Sequence, residues 1–139
     1  MNYLLDTCIL SEMIKPKAEK KVLDWILSVP EERFYLSVLT LGELQKGIVK
    51  LGTGERKNKL IRWLDEDVRQ RFEGRILPLD EETLLEWGNL AGDAERSGKP
   101  LPLVDSLLVA SAQVNHLTIV TRNVNDMQGL GVEILNPWE

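Results

Sequence analysis

Four carboxylates stand where apolar segments give way to helices or turns. Asp6 ends the run Asn2-Tyr3-Leu4-Leu5 and is followed by Thr7. Glu43 comes after Ser37-Val38-Leu39-Thr40-Leu41-Gly42, Asp105 after Pro102-Leu103-Val104, and Asp126 after Thr121-Arg122-Asn123-Val124-Asn125. In an open α/β sheet, ligands collect at the carboxyl ends of the strands, so these placements predict all four on one rim. Carboxylates gathered in this way repel one another unless a cation neutralises them. An all-oxygen donor set without histidine or cysteine suits Mg2+ or Mn2+ rather than zinc. Such a site polarises a phosphodiester and activates water, which is metal-dependent phosphoryl hydrolysis.

Each carboxylate also has a local role open to it. Asp6 is placed to cap a helix starting at Thr7. Thr40-Leu41-Gly42-Glu43 fits a capping box, in which Glu43 bonds back to the backbone. Asp105 would complement the positive end of its own helix, and Asp126 would start a turn. Asp105 suits its local role least, because Leu103, Val104, Leu107 and Leu108 around it are core-like and a charge there needs a partner or a metal. The single histidine, His116, lies at the far end of the same helix and reads as structural. Cys8, flanked by apolar residues, reads as a core residue rather than a nucleophile. Neither a glycine-rich phosphate loop nor a G-x-S-x-G elbow is present.

The elements that must position these residues follow from periodicity. After an opening strand, Cys8 to Ile14 reads as a helix that Pro16 breaks. Val22, Trp25, Ile26 and Val29 recur at helical spacing and predict an amphipathic helix over 18–29, stopped by Pro30. Phe34-Tyr35-Leu36-Ser37 reads as a strand. Leu41, Leu44, Ile48 and Leu51 mark a third helix, ending at Gly52-Thr53-Gly54. Leu60, Leu64, Val68 and Phe72 mark a fourth, and the two predict an antiparallel helical hairpin with an apolar seam and a basic outer face. Past Gly74, a strand is expected over Arg75–Leu79. Asp80 would then cap a helix whose buried face is Leu84, Trp87, Ala91 and Ala94, closed by Gly98 and Pro100. Leu103 to Asn115 is apolar on nearly all sides and predicts a buried helix. Leu117–Val120 and Val132–Leu135 read as the last two strands. Strands alternating with helices imply a parallel sheet with right-handed crossovers, in one α/β domain over residues 1–139.

The composition fits that frame. Hydrophobic residues are 43% and charged residues 28% of the chain, usual for a globular domain. No stretch approaches the ~20 apolar residues of a membrane span, and no basic-then-apolar leader opens the chain. One cysteine excludes an internal disulfide, and a cytoplasmic location is expected. Net charge is −5, but residues 1–62 carry +3 and residues 63–139 carry −8. Basic residues concentrate at Lys15, Lys17, Lys20 and Lys21, and again from Lys46 and Lys50 to Arg56, Lys57, Lys59 and Arg62. Basic flanks beside an acidic crevice hold a phosphate backbone near bound metal; on charge alone, a solvated helix surface explains them equally well.

The same segments resemble a known family. Leu5-Asp6-Thr7 with Ser11-Glu12, the Ser37/Thr40…Glu43-Leu44 stretch, Asp105-Ser106-Leu107-Leu108-Val109-Ala110 and Val120-Thr121-Arg122-Asn123-Val124-Asn125-Asp126 are similar to the four motifs of PIN-domain nucleases. Their order and spacing most resemble the VapC and FitB toxins of bacterial toxin–antitoxin pairs, over almost the whole chain. The resemblance implies a five-stranded parallel sheet in the order 3-2-1-4-5, flanked by helices with a helical hairpin insertion. It implies an Mg2+- or Mn2+-dependent endoribonuclease that leaves a 5′-phosphate and a 3′-hydroxyl. Asp6 and Asp105 would hold the principal ion; Glu43 would bind or orient it through water; Asp126 would complete the site or bind a second ion. Thr7 and Thr121 would position waters or carboxylates, and Asn123 would shape the last loop. Lys46, Lys50 and Lys57 on the hairpin, with the second helix, would guide RNA. The implied partners are an RNA substrate, a second copy of the chain, and a cognate antitoxin whose tail lies along the hairpin groove. DNA would be reached only through the antitoxin. The chain departs from the family at Cys8, where Asn or Ser is frequent, and at Met127, where an aromatic is common.

Two other classes fit the residues less well. A catalytically silent PIN-like binding or regulatory module has no reason to keep four mutually repelling carboxylates. A phosphotransfer domain also places Asp at strand ends, but a phosphatase of that kind wants a second Asp where Cys8 stands. A receiver wants one ending strand three, where only the capping Asp80 is available.

Overall fold

The computed structural model describes residues 1–139. Its centre is β1 (Tyr3–Leu5), paired in parallel with β2 (Phe34–Ser37) on one side and β4 (Thr118–Val120) on the other. β3 (Ile76–Leu77) and β5 (Ile134–Leu135) are the edges, so the order is β3-β2-β1-β4-β5 and every pairing is parallel. This is the expected topology. The edge strands are shorter than expected, two residues each. Each has one neighbour only, and Pro78 and Pro137 remove backbone donors just beyond them.

Helices cover both faces of the sheet: α1 (Thr7–Met13), α2 (Lys20–Leu27), α3 (Val38–Val49), α4 (Glu55–Arg62), α5 (Arg69–Arg71), α6 (Glu81–Arg96), α7 (Leu103–Asn115) and α8 (Val124–Met127). Strand side chains alternate between the faces, and this divides the core in two. Leu5, Phe34, Leu36 and Val120 point into one cluster with Ile9, Val22, Ile26, Leu44 and Phe72. Leu4 and Ile119 point into the other with Leu108, Val109, Ala112 and Met127. Met127, where an aromatic was the family expectation, is fully buried and fills its place as a packing residue.

The hairpin forms as expected, with α3 returning through α4 and α5 and with Leu44, Ile48, Leu64, Val68 and Phe72 buried along its seam. Its second arm is not a continuous α-helix, since Trp63–Val68 winds as a π-helix between α4 and α5. Gly74 closes the arm at φ +77°, which only glycine adopts without strain. Arg75 ties that end to the sheet, its Nη1 donating to the carbonyls of Glu31 at 2.7 Å and Phe34 at 2.5 Å.

One expected buried face is corrected. In α6, Leu84 is 43% exposed, and Thr83 turns inward with Trp87, Leu90 and Ala94. Ala91 stays partly buried as expected, and Asp80 caps the helix by accepting from the Thr83 backbone N–H at 3.0 Å. No helix is long and apolar enough to cross a membrane.

Candidate active site

Asp6 is placed by strand pairing. Leu5 is in register with Val120, and the Asp6 backbone N–H donates to the Val120 carbonyl at 3.0 Å. Thr121 therefore lands beside Asp6 from the other end of the chain. Its Oγ1 donates to Asp6 Oδ2 at 2.7 Å and accepts from the Asn123 N–H at 2.9 Å. The second oxygen, Oδ1, accepts from the Thr7 N–H at 2.8 Å, so Asp6 is also the N-cap of α1. With both oxygens engaged and 7% of the residue exposed, this carboxylate has a single orientation.

Glu43 does not form the capping box. The N-cap of α3 is Ser37, whose Oγ accepts from the Leu39 N–H at 3.1 Å. That puts Glu43 a turn and a half into the helix, exposed, where Thr7 Oγ1 donates to its Oε1 at 2.5 Å. Thr7 thus links Glu43 to Asp6 through one residue, and Thr121 links Asp6 to the last loop.

Asp105 is the third residue of α7 and half-buried. Burial and, after it, the charges of Asp6, Asp126 and Glu43 together push its carboxyl up to about 6. Asp105 thus feels the charges of the other three carboxylates, of which Asp126, in α8, is exposed. No three of them close into a ready-made metal cage. Nothing donates a hydrogen bond to the Asp105 side chain, but its helical turn is pinned from behind. Trp87 Nε1 donates to Ser106 Oγ at 3.0 Å, and Ser106 Oγ donates to the Leu103 carbonyl at 2.9 Å.

Cys8 sits against the site rather than away from it. Its thiol lies 4.0 Å from Asp6 Oδ2 and 3.8 Å from Thr121 Oγ1, and burial raises its pKa, keeping it a neutral thiol. Glu12 is a buried carboxylate outside the four. The Glu19 N–H donates to it at 2.9 Å, Lys15 at 3.1 Å, and these hold its carboxyl below the ordinary range. It ties the end of α1 to the start of α2; in the sequence only its place beside Ser11 marked it. Lys46 and Lys50 are exposed one turn apart on α3, whereas Lys57 Nζ donates to the Leu51 carbonyl at 3.3 Å within the hairpin loop. Between α1 and the hairpin lies an apolar groove of about 240 Å3, lined by Leu10, Met13, Ile14, Trp63, Val68 and Phe72, with Asp67 and Arg71 at its edge.

Residues 3–127 match the PIN domain family. The chain belongs to the PIN-domain family. It is 34% identical to Toxin FitB of Neisseria gonorrhoeae over 97% of both chains. It is 32% identical to VapC ribonuclease Y4jK of Sinorhizobium fredii, over 98% of this chain and 97% of that one. The crystal structure of FitAcB from Neisseria gonorrhoeae superposes with a TM-score of 0.92 at 34% identity, covering 99% of each chain. The structure of FitAB bound to an IR36 DNA fragment matches equally well, TM-score 0.92, at 31% identity.

In this PIN domain the most exposed consequence of the geometry is the Thr121 bridge. Thr121→Val keeps the shape but leaves Asp6 Oδ2 and the Asn123 N–H without their partner. The expected loss of stability is about 1–2 kcal/mol, measurable by urea unfolding. An unchanged midpoint would show that water replaces the hydroxyl.

Proposed function

We propose that this PIN domain, acting over the whole chain 1–139, is an Mg2+- or Mn2+-dependent endoribonuclease. It is the toxin of a type II toxin–antitoxin pair in the cytoplasm. The observation that carries the reading is the field at Asp105: three further carboxylates bear on a half-buried one, an arrangement that costs stability unless a cation is bound.

The donor set fits such an ion. It is all oxygen, and Mg2+ keeps several waters and takes only one or two protein carboxylates. Asp6 and Asp105 would hold the principal ion, Glu43 would reach it directly or through water, and Asp126 would complete the site or hold a second. The bound ion supplies charge neutralisation at the phosphate and activated water. The chain supplies orientation. Thr121 and the Thr7 N–H fix both oxygens of Asp6, and the Thr7 hydroxyl fixes Glu43, the outer-shell support that such ligands need. Lys46 and Lys50 lie one and two turns beyond Glu43 on α3, suited to the phosphates of an incoming strand.

The names of the relatives support the substrate and the pairing: one is a VapC ribonuclease, another a toxin, and the FitAB structure includes DNA. In this reading the apolar groove beside α1 takes an antitoxin segment, and DNA is met only through the antitoxin. The chain also pairs with itself; Val49 and Ile61 leave apolar surface exposed on the hairpin for that purpose. The test is cleavage of a mixed RNA pool by purified protein. Cutting in Mn2+ that stops on adding EDTA is expected. Cutting that continues in EDTA would overturn the metal-dependent mechanism.

A further inference from the structure

Arg122 is the only lysine or arginine in residues 100–139, and it sits on the acidic rim itself. It follows Thr121, whose hydroxyl is bonded to Asp6, and its backbone N–H faces the Cys8 thiol. Its side chain is exposed, yet it is not free to wander. The guanidinium lies over the indole of Trp138, 4.8 Å from the ring. Trp138 is itself fixed: it packs on the sheet's first core cluster, and its backbone N–H donates to Asn136 Oδ1 at 3.0 Å.

Arg122 has a rigid platform and no anion. None of the five ion pairs of the protein includes it, and its side chain donates no hydrogen bond. Glu12 feels its charge weakly, but the two oxygens of Glu12 are taken by Lys15 and the Glu19 N–H. A stacked guanidinium keeps its planar fork of donors pointing in one direction, and that fork matches a phosphate bidentately.

We propose that Arg122, held by Trp138, contacts a backbone phosphate of the RNA on the side of the crevice opposite the hairpin. This rests on the nuclease reading above. A strand crossing the site then meets Lys46 and Lys50 beyond Glu43 and Arg122 beyond Asp6, so that the scissile phosphate is drawn over four carboxylates that would otherwise repel it. The role is positioning, without touching the reacting atoms.

Binding and cleavage are measured separately. A labelled mixed-sequence single-stranded RNA is titrated, across a range of salt, against protein carrying Asp6→Asn to silence cutting. Adding Arg122→Ala should weaken binding about tenfold and reduce the slope of log affinity against log salt by about one. Trp138→Leu should weaken binding by about threefold while keeping the slope, since the charge remains but its platform does not. In the otherwise wild-type enzyme, Arg122→Ala should raise KM with kcat nearly unchanged. Unaltered affinity and salt slope in Arg122→Ala would overturn the proposal, as would a fall in kcat alone at constant KM. The two readings fail separately. If wild-type protein cuts no RNA but binds it through Arg122, the nuclease assignment falls and the phosphate contact stands. If no RNA binds at all, the contact falls too. A thermal melt of each variant shows that it is folded.

Discussion

Asp105→Asn is expected to stabilise the metal-free protein while abolishing metal-dependent cleavage. The Asp105 side chain accepts no hydrogen bond from the protein, so an amide breaks none. It removes a charge that burial and then Asp6, Asp126 and Glu43 all oppose. The sign follows from linkage. A carboxyl whose pKa rises from 3.8 unfolded to about 6 folded binds the proton more tightly in the fold. Its favourable contribution is complete below about pH 4 and is lost as pH rises through about 6. Because the residue is only half-buried, solvent screening reduces the effect to about 1 kcal/mol, or roughly 3–4 °C in Tm near neutral pH. Melts of wild type and variant between pH 4 and 7 should therefore diverge as pH rises, with the variant higher above pH 6. Added Mn2+ should reverse the order, because only the wild type keeps the ligand. If the two curves stay parallel without metal, the four carboxylates do not couple and do not form one site.

Asp6→Asn should cost at least about 10³-fold in kcat/KM, since losing one anionic ligand removes several kcal/mol of transition-state stabilisation. Here the fold should hardly change. Asn is as good a helix N-cap as Asp, so its Oδ1 continues to accept from the Thr7 N–H. On the other side the amide group replaces Oδ2, and Thr121 can rotate to accept from it while it also accepts from Asn123. One hydroxyl proton is left to find water, at a cost of about 1 kcal/mol. Circular dichroism and thermal melting on the same preparation separate the two effects. Activity within tenfold of wild type would remove Asp6 from the metal site; loss of activity with loss of fold would make its role structural.

The two variants differ because the two carboxylates are held differently. Asp6 is clamped by donors from Thr7 and Thr121, whereas Asp105 faces other anions with nothing donating to it. Both were legible as candidates in the chain itself. For Asp6 the signal is a short apolar run closing on a carboxylate at a strand's carboxyl end; for Asp105 it is a carboxylate in the first turn of an otherwise apolar helix. The order and kind of elements were legible for the same reason. The 3.6-residue periodicity of Val22-Trp25-Ile26-Val29 depends only on which side of a helix must be dry, and the unbroken apolar run Leu4-Leu5 marks a strand buried on both faces.

What only tertiary structure decided involves partners far apart in the chain or rotations too small for periodicity to record. The Thr121–Asp6 bond joins residues 115 apart and exists because β1 lies beside β4. Glu43 satisfied the local pattern of a capping box, yet Thr7, 36 residues away, claims it, because Ser37 already starts the helix one turn earlier. Thr83 is buried and Leu84 is 43% exposed, a difference set by what packs on α6 rather than by its apolar count. Arg122 and Trp138 are 16 positions apart with no shared pattern, and their stacking follows from β5 returning the chain's end alongside β4. The sequence by itself determined the kind and order of the elements and the parallel topology of the sheet, because these depend on local periodicity and on the handedness of crossovers. Which oxygen each side chain faces was decided only by the packed chain, because hydrogen bonds form between spatial neighbours and the sequence order of those neighbours carries no trace of them.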